Sequence, residues 1–244
     1  MKKIVIKMGG IASKKLDNSF FKTLRKWQQE GNQVYIVHGG GQYITTMMEY
    51  FGLHKKVCEG LRVTDLKTLE ITRMVLLGQV QPMLTSVFQK EGFHPVCLHA
   101  GFDRLIEGKM IDEKKFGFVG QVTHVNSQLL ESFVQKNQLP IIAPLGVTSN
   151  GQWLNINADE AACQIAASLQ ADQLFLLTDV PGIKKDKDWL KEVSIQQIEQ
   201  LKMEQVITGG MIPKLNSAKK AILSCVAQVN INNQIQSIGT KITA

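Results

Sequence analysis

No stretch of this chain approaches the ~20 consecutive apolar residues that a bilayer-spanning helix needs. Lys2 and Lys3 open the sequence, but the apolar Ile4-Val5-Ile6 behind them is too short for a signal-peptide core, so a cytoplasmic protein is expected. Cysteine is scarce. Cys58, Cys97, Cys163 and Cys225 are scattered without a CxxC pair, which argues against a disulfide framework or zinc site and for reduced structural thiols. Aromatic residues make up only 7%, and none interleaves with lysines as a base-stacking surface would require. The formal charge of +7 is spread over pairs such as Lys14-Lys15, Lys55-Lys56 and Lys219-Lys220, with no basic arm. Such diffuse charge is a solvated surface that also attracts anionic small molecules; neither nucleic acid nor membrane is an expected partner. Fixed-period repeats, low-complexity tracts and Pro/Gly/Ser linkers are missing as well.

What remains is ordinary globular composition, 44% hydrophobic and 20% charged over 244 residues, enough for one large domain or two intimate halves. Lys3-Ile4-Val5-Ile6 reads as a strand closed by Gly9-Gly10. Asp17 reads as a helix cap, with Leu16, Phe20, Leu24 and Trp27 at helical spacing up to Gly31. Val34 to Val37 is a second strand, closed by Gly39-Gly40-Gly41. This alternation predicts a parallel sheet with helices packed on it. Residues 56–63 and 104–124 read as hairpins around a helical stretch near 66–90. Ile141 to Ala143 and Leu174 to Leu177 read as strands, and Asn157 to Leu169 as a helix. Ser194 and Gln197 form a capping-box pattern. A last helix is expected from about Ile212 to Ala227, and any seam between halves just after Pro140 to Gly151.

Three glycine turns stand out, each read as following an apolar strand: Lys7-Met8-Gly9-Gly10, His38-Gly39-Gly40-Gly41 and Thr208-Gly209-Gly210-Met211. Glycine lets backbone approach a ligand closely, and free amides at a helix start favour anions. One such turn is adequately explained as a tight strand–helix connection; three together point to a phosphate chain. The usual phosphate motifs do not account for them. GxxxxGK[ST] is missing, and Ile44 stands where a dinucleotide fingerprint needs its third glycine.

Lys7 closes an apolar strand at the sheet edge where open α/β folds bind ligands, a costly place for lysine unless it meets an anion. Lys214 lies one short turn after Gly209-Gly210. Two such lysines can offset charge that spreads during phosphoryl transfer. Asn155-Ile156-Asn157-Ala158-Asp159 is the densest polar cluster beside an apolar helix; Asn157 or Asp159 could cap that helix, and Asp159 could organise the lysines. Arg62, in Gly60-Leu61-Arg62-Val63-Thr64, offers a planar fork suited to a carboxylate. His38 has no acid pair or serine to work with and reads as a brace for its turn.

These blocks resemble the acetylglutamate kinase branch of the amino acid kinase family. The matching stretches are Lys7-Met8-Gly9-Gly10, Val37 to Gly41, Gly60 to Thr64, Phe118-Val119-Gly120, Asn155 to Asp159, Leu177 to Gly182 and Gly209 to Lys214, in the family's order over nearly the whole chain. The resemblance implies an open three-layer αβα sandwich with a largely parallel central sheet. Residues 1–145 would form the amino-acid and dimerisation lobe, and 146–244 the ATP lobe, on one continuous sheet. The implied reaction uses ATP with Mg2+, and no tightly bound cofactor, to convert N-acetyl-L-glutamate into N-acetyl-L-glutamyl 5-phosphate, the second step of arginine biosynthesis. Residue by residue, Lys7 and Lys214 match transition-state lysines and Asp159 their organiser. Gly9, Gly10 and the Gly39–Gly41 turn match amides around the transferred group. Gly40, Gly41, Arg62 and Asn155 match acceptor contacts. Asp179, Val180, Pro181, Gly182, Ile183 and Lys184, with Val206, Ile207, Thr208 and Gly210, match the nucleotide segments. The segment 183–190 is short and lysine-rich by comparison. Because the sequence opens directly on its first strand, an arginine-insensitive homodimer is expected. A kinase for acetylaminoadipate, or a non-catalytic sensor of the same fold, is the alternative.

Overall fold

The computed structural model describes residues 1–9, 16–209, 211–237 and 239–244. Gly10 and Gly210, both expected near phosphate, lie outside the described residues. In chain order the elements are β1 (Lys3–Met8), α1 (Asn18–Gln29), β2 (Gln33–His38), α2 (Gly41–Tyr50), β3 (Val57–Cys58), β4 (Leu61–Arg62), α3 (Leu66–Val75), a π-helical turn (Leu76–Val80), α4 (Gln81–Lys90), β5 (Pro95–Leu98), β6 (Ile106–Met110), α5 (Glu113–Phe116) and β7 (Val119–Val125). They continue with α6 (Ser127–Gln135), β8 (Leu139–Ile142), β9 (Leu145–Val147), β10 (Trp153–Ile156), α7 (Ala158–Ser168), β11 (Gln173–Leu177), β12 (Lys184–Lys185), β13 (Asp188–Trp189), β14 (Glu192–Ser194), α8 (Gln197–Met203), α9 (Met211–Leu223), β15 (Val229–Asn232) and β16 (Thr240–Thr243). No helix among the described residues is long and apolar enough to cross a membrane.

Packing divides the chain into two units. One comprises Met1–Val34 and Ala162–Ala244, the other Tyr35–Ala161. In the first, the strand order is β14-β16-β15-β11-β1. β1 pairs with β11 and β11 with β15, all parallel, while β15 and β16 are antiparallel. Ile4, Val5, Ile6, Leu174, Leu176 and Ile231 are fully buried or nearly so, as expected for strands covered on both faces. Asp17 caps α1 by accepting the Phe20 amide at 2.9 Å, and Phe20, Phe21 and Leu24 turn inward from that start. Trp27 packs against Phe175 with ring centroids 5.5 Å apart. Ser194 and Gln197 exchange the two hydrogen bonds of a capping box at the start of α8.

In the unit Tyr35–Ala161, β2 pairs with β8 and β8 with β5, all parallel. The strands β10, β7, β6 and β9 close on one another as a small barrel, and β3 and β4 form a hairpin. The expected α/β class with a largely parallel sheet is what the structure has. The two hairpins fall where the glycines place them, although α5 interrupts the second.

The helical stretch expected near 66–90 is there: α3, the π-helical turn and α4 run on from one another, with Pro82 in the first turn of α4. Two local expectations are corrected. The last helix stops at Leu223 rather than near Ala227, because Cys225 adopts a left-handed φ of 67°. The turn at Thr208-Gly209 follows α8, not a strand.

Candidate active site

In the unit Tyr35–Ala161, four separate sequence blocks converge through hydrogen bonds. Arg62, on β4, reaches α2. Its Nη2 donates to Gly41 O at 2.9 Å and to Thr45 Oγ1 at 2.8 Å, and its Nη1 lies 3.1 Å from Met48 Sδ. No carboxylate among the described residues pairs with this half-buried guanidinium, and burial pushes its pKa down. A cation held this way, with its fork only partly used, is suited to an incoming carboxylate. Beside it, Gly40 caps α2 without any side-chain hydrogen bond, so the first amides of that helix remain available to an anion.

Thr64 ties Arg62 to Asn155. Thr64 Oγ1 donates to Arg62 O at 2.8 Å and accepts from Asn155 Nδ2 at 2.9 Å, in a fully buried position. Its backbone is clamped on both sides: Thr64 N donates to Phe116 O, and Phe118 N to Thr64 O at 2.7 Å. Asn155 N in turn donates to Phe118 O at 2.9 Å, which adds the Phe118-Val119-Gly120 block. Thr64, Thr45 and Phe118 stand outside the candidate residues that the sequence offers. The signal for Thr64 was available, since it is the polar residue two positions from Arg62 and therefore on the same face of an extended strand.

At the start of α7 the two possible caps separate. Asn157 Oδ1 accepts from the amides of Asp159 at 2.9 Å and Glu160 at 3.2 Å, so Asn157 is the cap. Asp159 stands half-buried in the first turn, where the helix dipole favours its charge. His38 is fully buried at the end of β2, with Nδ1 3.1 Å from Gly39 O. Burial pushes its pKa down to about 4, so it is neutral at physiological pH.

In the other unit, Lys7 and Lys214 are both buried, with 8% and 6% of their surface exposed. Lysine is seldom so enclosed unless it meets negative charge or a hydrogen-bond acceptor. Lys7 is the penultimate residue of β1, in register with Leu176 of β11. Its ammonium lies near Gly9: a Cβ added at Gly9 would stand 3.7 Å from Lys7 Nζ and 3.7 Å from Leu177 O. Lys214 lies in the first turn of α9.

The expected nucleotide segments follow β11. Thr178 Oγ1 donates to Asp179 Oδ1 at 3.0 Å, and Thr178 N to Asn232 O at 2.8 Å. Val180 and Pro181 complete the exposed turn. At Gly182, an added Cβ would come within 2.5 Å of Thr240 Oγ1, so backbone runs directly over that hydroxyl. Thr240 Oγ1 also accepts the Ile183 amide at 2.8 Å and donates to Leu190 O at 2.6 Å. Lys184 lies over the Trp189 ring at 5.8 Å in the β12–β13 hairpin. The second segment is held by Leu201 O, which accepts from Val206 N at 3.0 Å and Ile207 N at 3.2 Å, while Thr208 O accepts from Met211 N at 3.2 Å. Lys185 and Glu204, 2.8 Å apart, bring the hairpin to the end of α8 and so join the two segments. No group of three or more His, Cys, Asp or Glu side chains that could hold a metal ion occurs among the described residues.

Comparison with known proteins supplies the wider context. An acetylglutamate kinase of Listeria monocytogenes is 46% identical over 239 residues, spanning 98% of this chain and 96% of its own. An acetylglutamate kinase of Leuconostoc mesenteroides is 44% identical over 243 residues, the full length of both. A crystal structure of a Streptococcus mutans protein superposes with a TM-score of 0.95 at 37% identity, covering 99% of this chain and 98% of that one. A Giardia lamblia carbamate kinase, 18% identical with a TM-score of 0.68, shares the fold. The profile described as the amino acid kinase family matches residues 2–233. With that match running from the first strand to the Asn232 strand, and the glycine, arginine and lysine blocks all inside it, the chain belongs to the amino acid kinase family.

Proposed function

We propose that this protein transfers the γ-phosphoryl group of ATP to the side-chain carboxylate of N-acetyl-L-glutamate, forming N-acetyl-L-glutamyl 5-phosphate and ADP in arginine biosynthesis. The observation that carries the reading is Arg62: a half-buried cation with no carboxylate partner among the described residues, anchored on Gly41 O beside the start of α2, which has no side-chain cap. Support also comes from the relatives named acetylglutamate kinase, which align over nearly their whole length.

The chemistry asks little of the protein beyond position and charge. A side-chain carboxylate with pKa near ~4.3 is already ionised at neutral pH and needs no general base. One of its oxygens attacks the γ-phosphorus, and the bond to the β–γ bridging oxygen breaks, leaving its electron pair on ADP. Arg62 and Asn155 hold the acceptor, and the Gly40 and Gly41 amides face it. Lys7 and Lys214 offset the charge that moves during transfer, and Asp159 orders them. Gly9 lets the phosphates approach Lys7. The segments Asp179 to Lys184 and Val206 to Thr208 bind the nucleotide. Magnesium enters as part of the substrate, carried by phosphate oxygens and water, as its reluctance to dehydrate allows.

Gly40, Gly41, Arg62 and Asn155 all belong to the unit Tyr35–Ala161, and the nucleotide segments to the other. The proposed division of labour therefore follows those units, with residues 1–34 on the nucleotide side. A homodimer in the cytoplasm belongs to the same reading. Tyr50, Phe51, Leu66 and Met74, all more than half exposed, give the acceptor unit an apolar surface suited to a second copy.

The test is a steady-state assay with MgATP and acetylglutamate, run beside acetylaminoadipate, free glutamate, aspartate and UMP. Acetylglutamate should be the best acceptor by far. A better rate with any of the others overturns the assignment, and no turnover with any of them overturns the enzyme.

A further inference from the structure

His38 is buried, titratable and unused in the proton chemistry of the proposed reaction. Its Nδ1 lies 3.1 Å from Gly39 O, and its Nε2 has no hydrogen-bond partner among the described residues. The two neutral tautomers are therefore unequal. With the proton on Nδ1, the ring donates to the carbonyl, and a single lone pair on Nε2 goes unmatched. With the proton on Nε2, a buried N–H goes unmatched and two lone pairs face each other at 3.1 Å. The Nδ1–H form costs less.

The other side of the turn is filled as well. A Cβ added at Gly40 would lie 2.5 Å from Leu76 Cδ2 and 3.5 Å from Val80 Cγ2, both in the π-helical turn. The Gly39–Gly40 peptide thus lies between a ring that engages its carbonyl and the Leu76 methyl, which would have to move for any Cβ at residue 40. It is trans, so its C=O and N–H point in opposite directions.

We infer that His38, as the Nδ1–H tautomer, is a positioning residue that holds the Gly39 carbonyl inward and thereby turns the Gly40 amide away from the core, toward the anion bound at the start of α2. That the anion comprises the acceptor carboxylate and the transferred phosphoryl group rests on the function proposed above. The orientation of the peptide does not.

Nitrogen-15 NMR of the imidazoles in the intact protein reads the tautomer directly, with the His38 signal assigned by elimination after His54, His94, His99 and His124 are substituted. A protonated Nδ1 is expected, and a protonated Nε2 overturns the inference whether or not the enzyme reading holds. Kinetics supply the second arm. His38→Phe keeps the ring and removes the donor; kcat should fall tenfold or more, with acceptor KM changing less than threefold. His38→Asn, whose amide nitrogen sits at the same branch as Nδ1, should recover most of that loss. Equal losses in the two variants, or none in His38→Phe, overturn the inference. If His38→Phe does not fold, the tautomer measurement on the unsubstituted ring decides.

Discussion

Asn155 and Thr64 share a hydrogen bond of 2.9 Å whose direction is fixed by a third group. Thr64 has one hydroxyl proton and gives it to Arg62 O, so it can only accept from Asn155, and the Asn155 side chain must present its nitrogen here. The side-chain oxygen of Asn155 is thereby turned elsewhere. In the proposed site, one hydroxyl sets the pose of the Asn155 side chain and holds the backbone of Arg62.

Thr64→Val keeps the shape and removes the hydroxyl, leaving the Asn155 amide and the Arg62 carbonyl unmatched. An unmatched buried group costs about 1–3 kcal/mol, so acceptor KM should rise roughly five- to a hundredfold while ATP KM stays near its starting value. Thr64→Ser should stay close to the parent. Equal rises in both KM values for Thr64→Val would point to general loosening rather than acceptor placement.

Arg62→Lys keeps a positive charge and gives up the fork that now engages Gly41 O and Thr45 Oγ1. A lysine cannot hold those acceptors and a carboxylate in one plane. Acceptor KM should rise much more than ATP KM in steady-state assays; an unchanged acceptor KM removes Arg62 from the site.

Lys7→Met and Lys214→Met follow from the burial of both ammonium groups. If each contributes about 3 kcal/mol to the transition state as a positioned donor does, kcat should drop roughly a hundredfold. Acceptor KM should change little, with some rise in ATP KM for Lys214→Met. Asp159→Asn should fall between, and its effect should not add fully to theirs. A folded Lys7→Met enzyme with normal kcat contradicts the mechanism.

Stability should fall with pH in a window set by His38. The folded pKa is pushed down to about 4 from 6.5 by burial, so between those values the unfolded chain binds the extra proton. Stability is therefore fully present above about pH 6.5 and is lost as pH falls toward 4, by on the order of 3 kcal/mol. Urea midpoints at pH 7 and 4.5 measure this. His38→Phe should flatten the slope, and an unchanged slope would assign the loss to other groups.

Features decided by neighbours in sequence were legible without a structure. The Asp17 cap, the Ser194/Gln197 box and the short apolar strands each depend on residues within one turn or one strand. The turns at Gly9 and at Gly39–Gly41 were legible as strand ends too, because the apolar runs before them stop at glycine. Other features depend on distant partners. The β1–β11 pairing joins Lys7 to Leu176, and Thr64 finds Asn155 across 91 positions. Asn157 and Asp159 both suit a cap by type; α7 begins at Ala158, which leaves Asn157 just ahead of the first turn and Asp159 inside it. The π-helical turn widens one turn of the helix, and the buried residues Thr68, Thr72, Leu76, Val80, Leu84 and Phe88 recur every four positions across it, a spacing that by itself also suits an ordinary helix face over a few turns.

The packing at Gly40 bears on how sequences of this kind can drift. Its φ of −162° lies outside the left-handed region, so no positive φ demands glycine there. What stands in the way is the Leu76 Cδ2 methyl, 2.5 Å from an added Cβ, which would have to move. Positions 40 and 76 are thus a compensating pair, 36 residues apart by number. A lineage that shortened residue 76 first could then accept alanine at 40, whereas the reverse order passes through a clash.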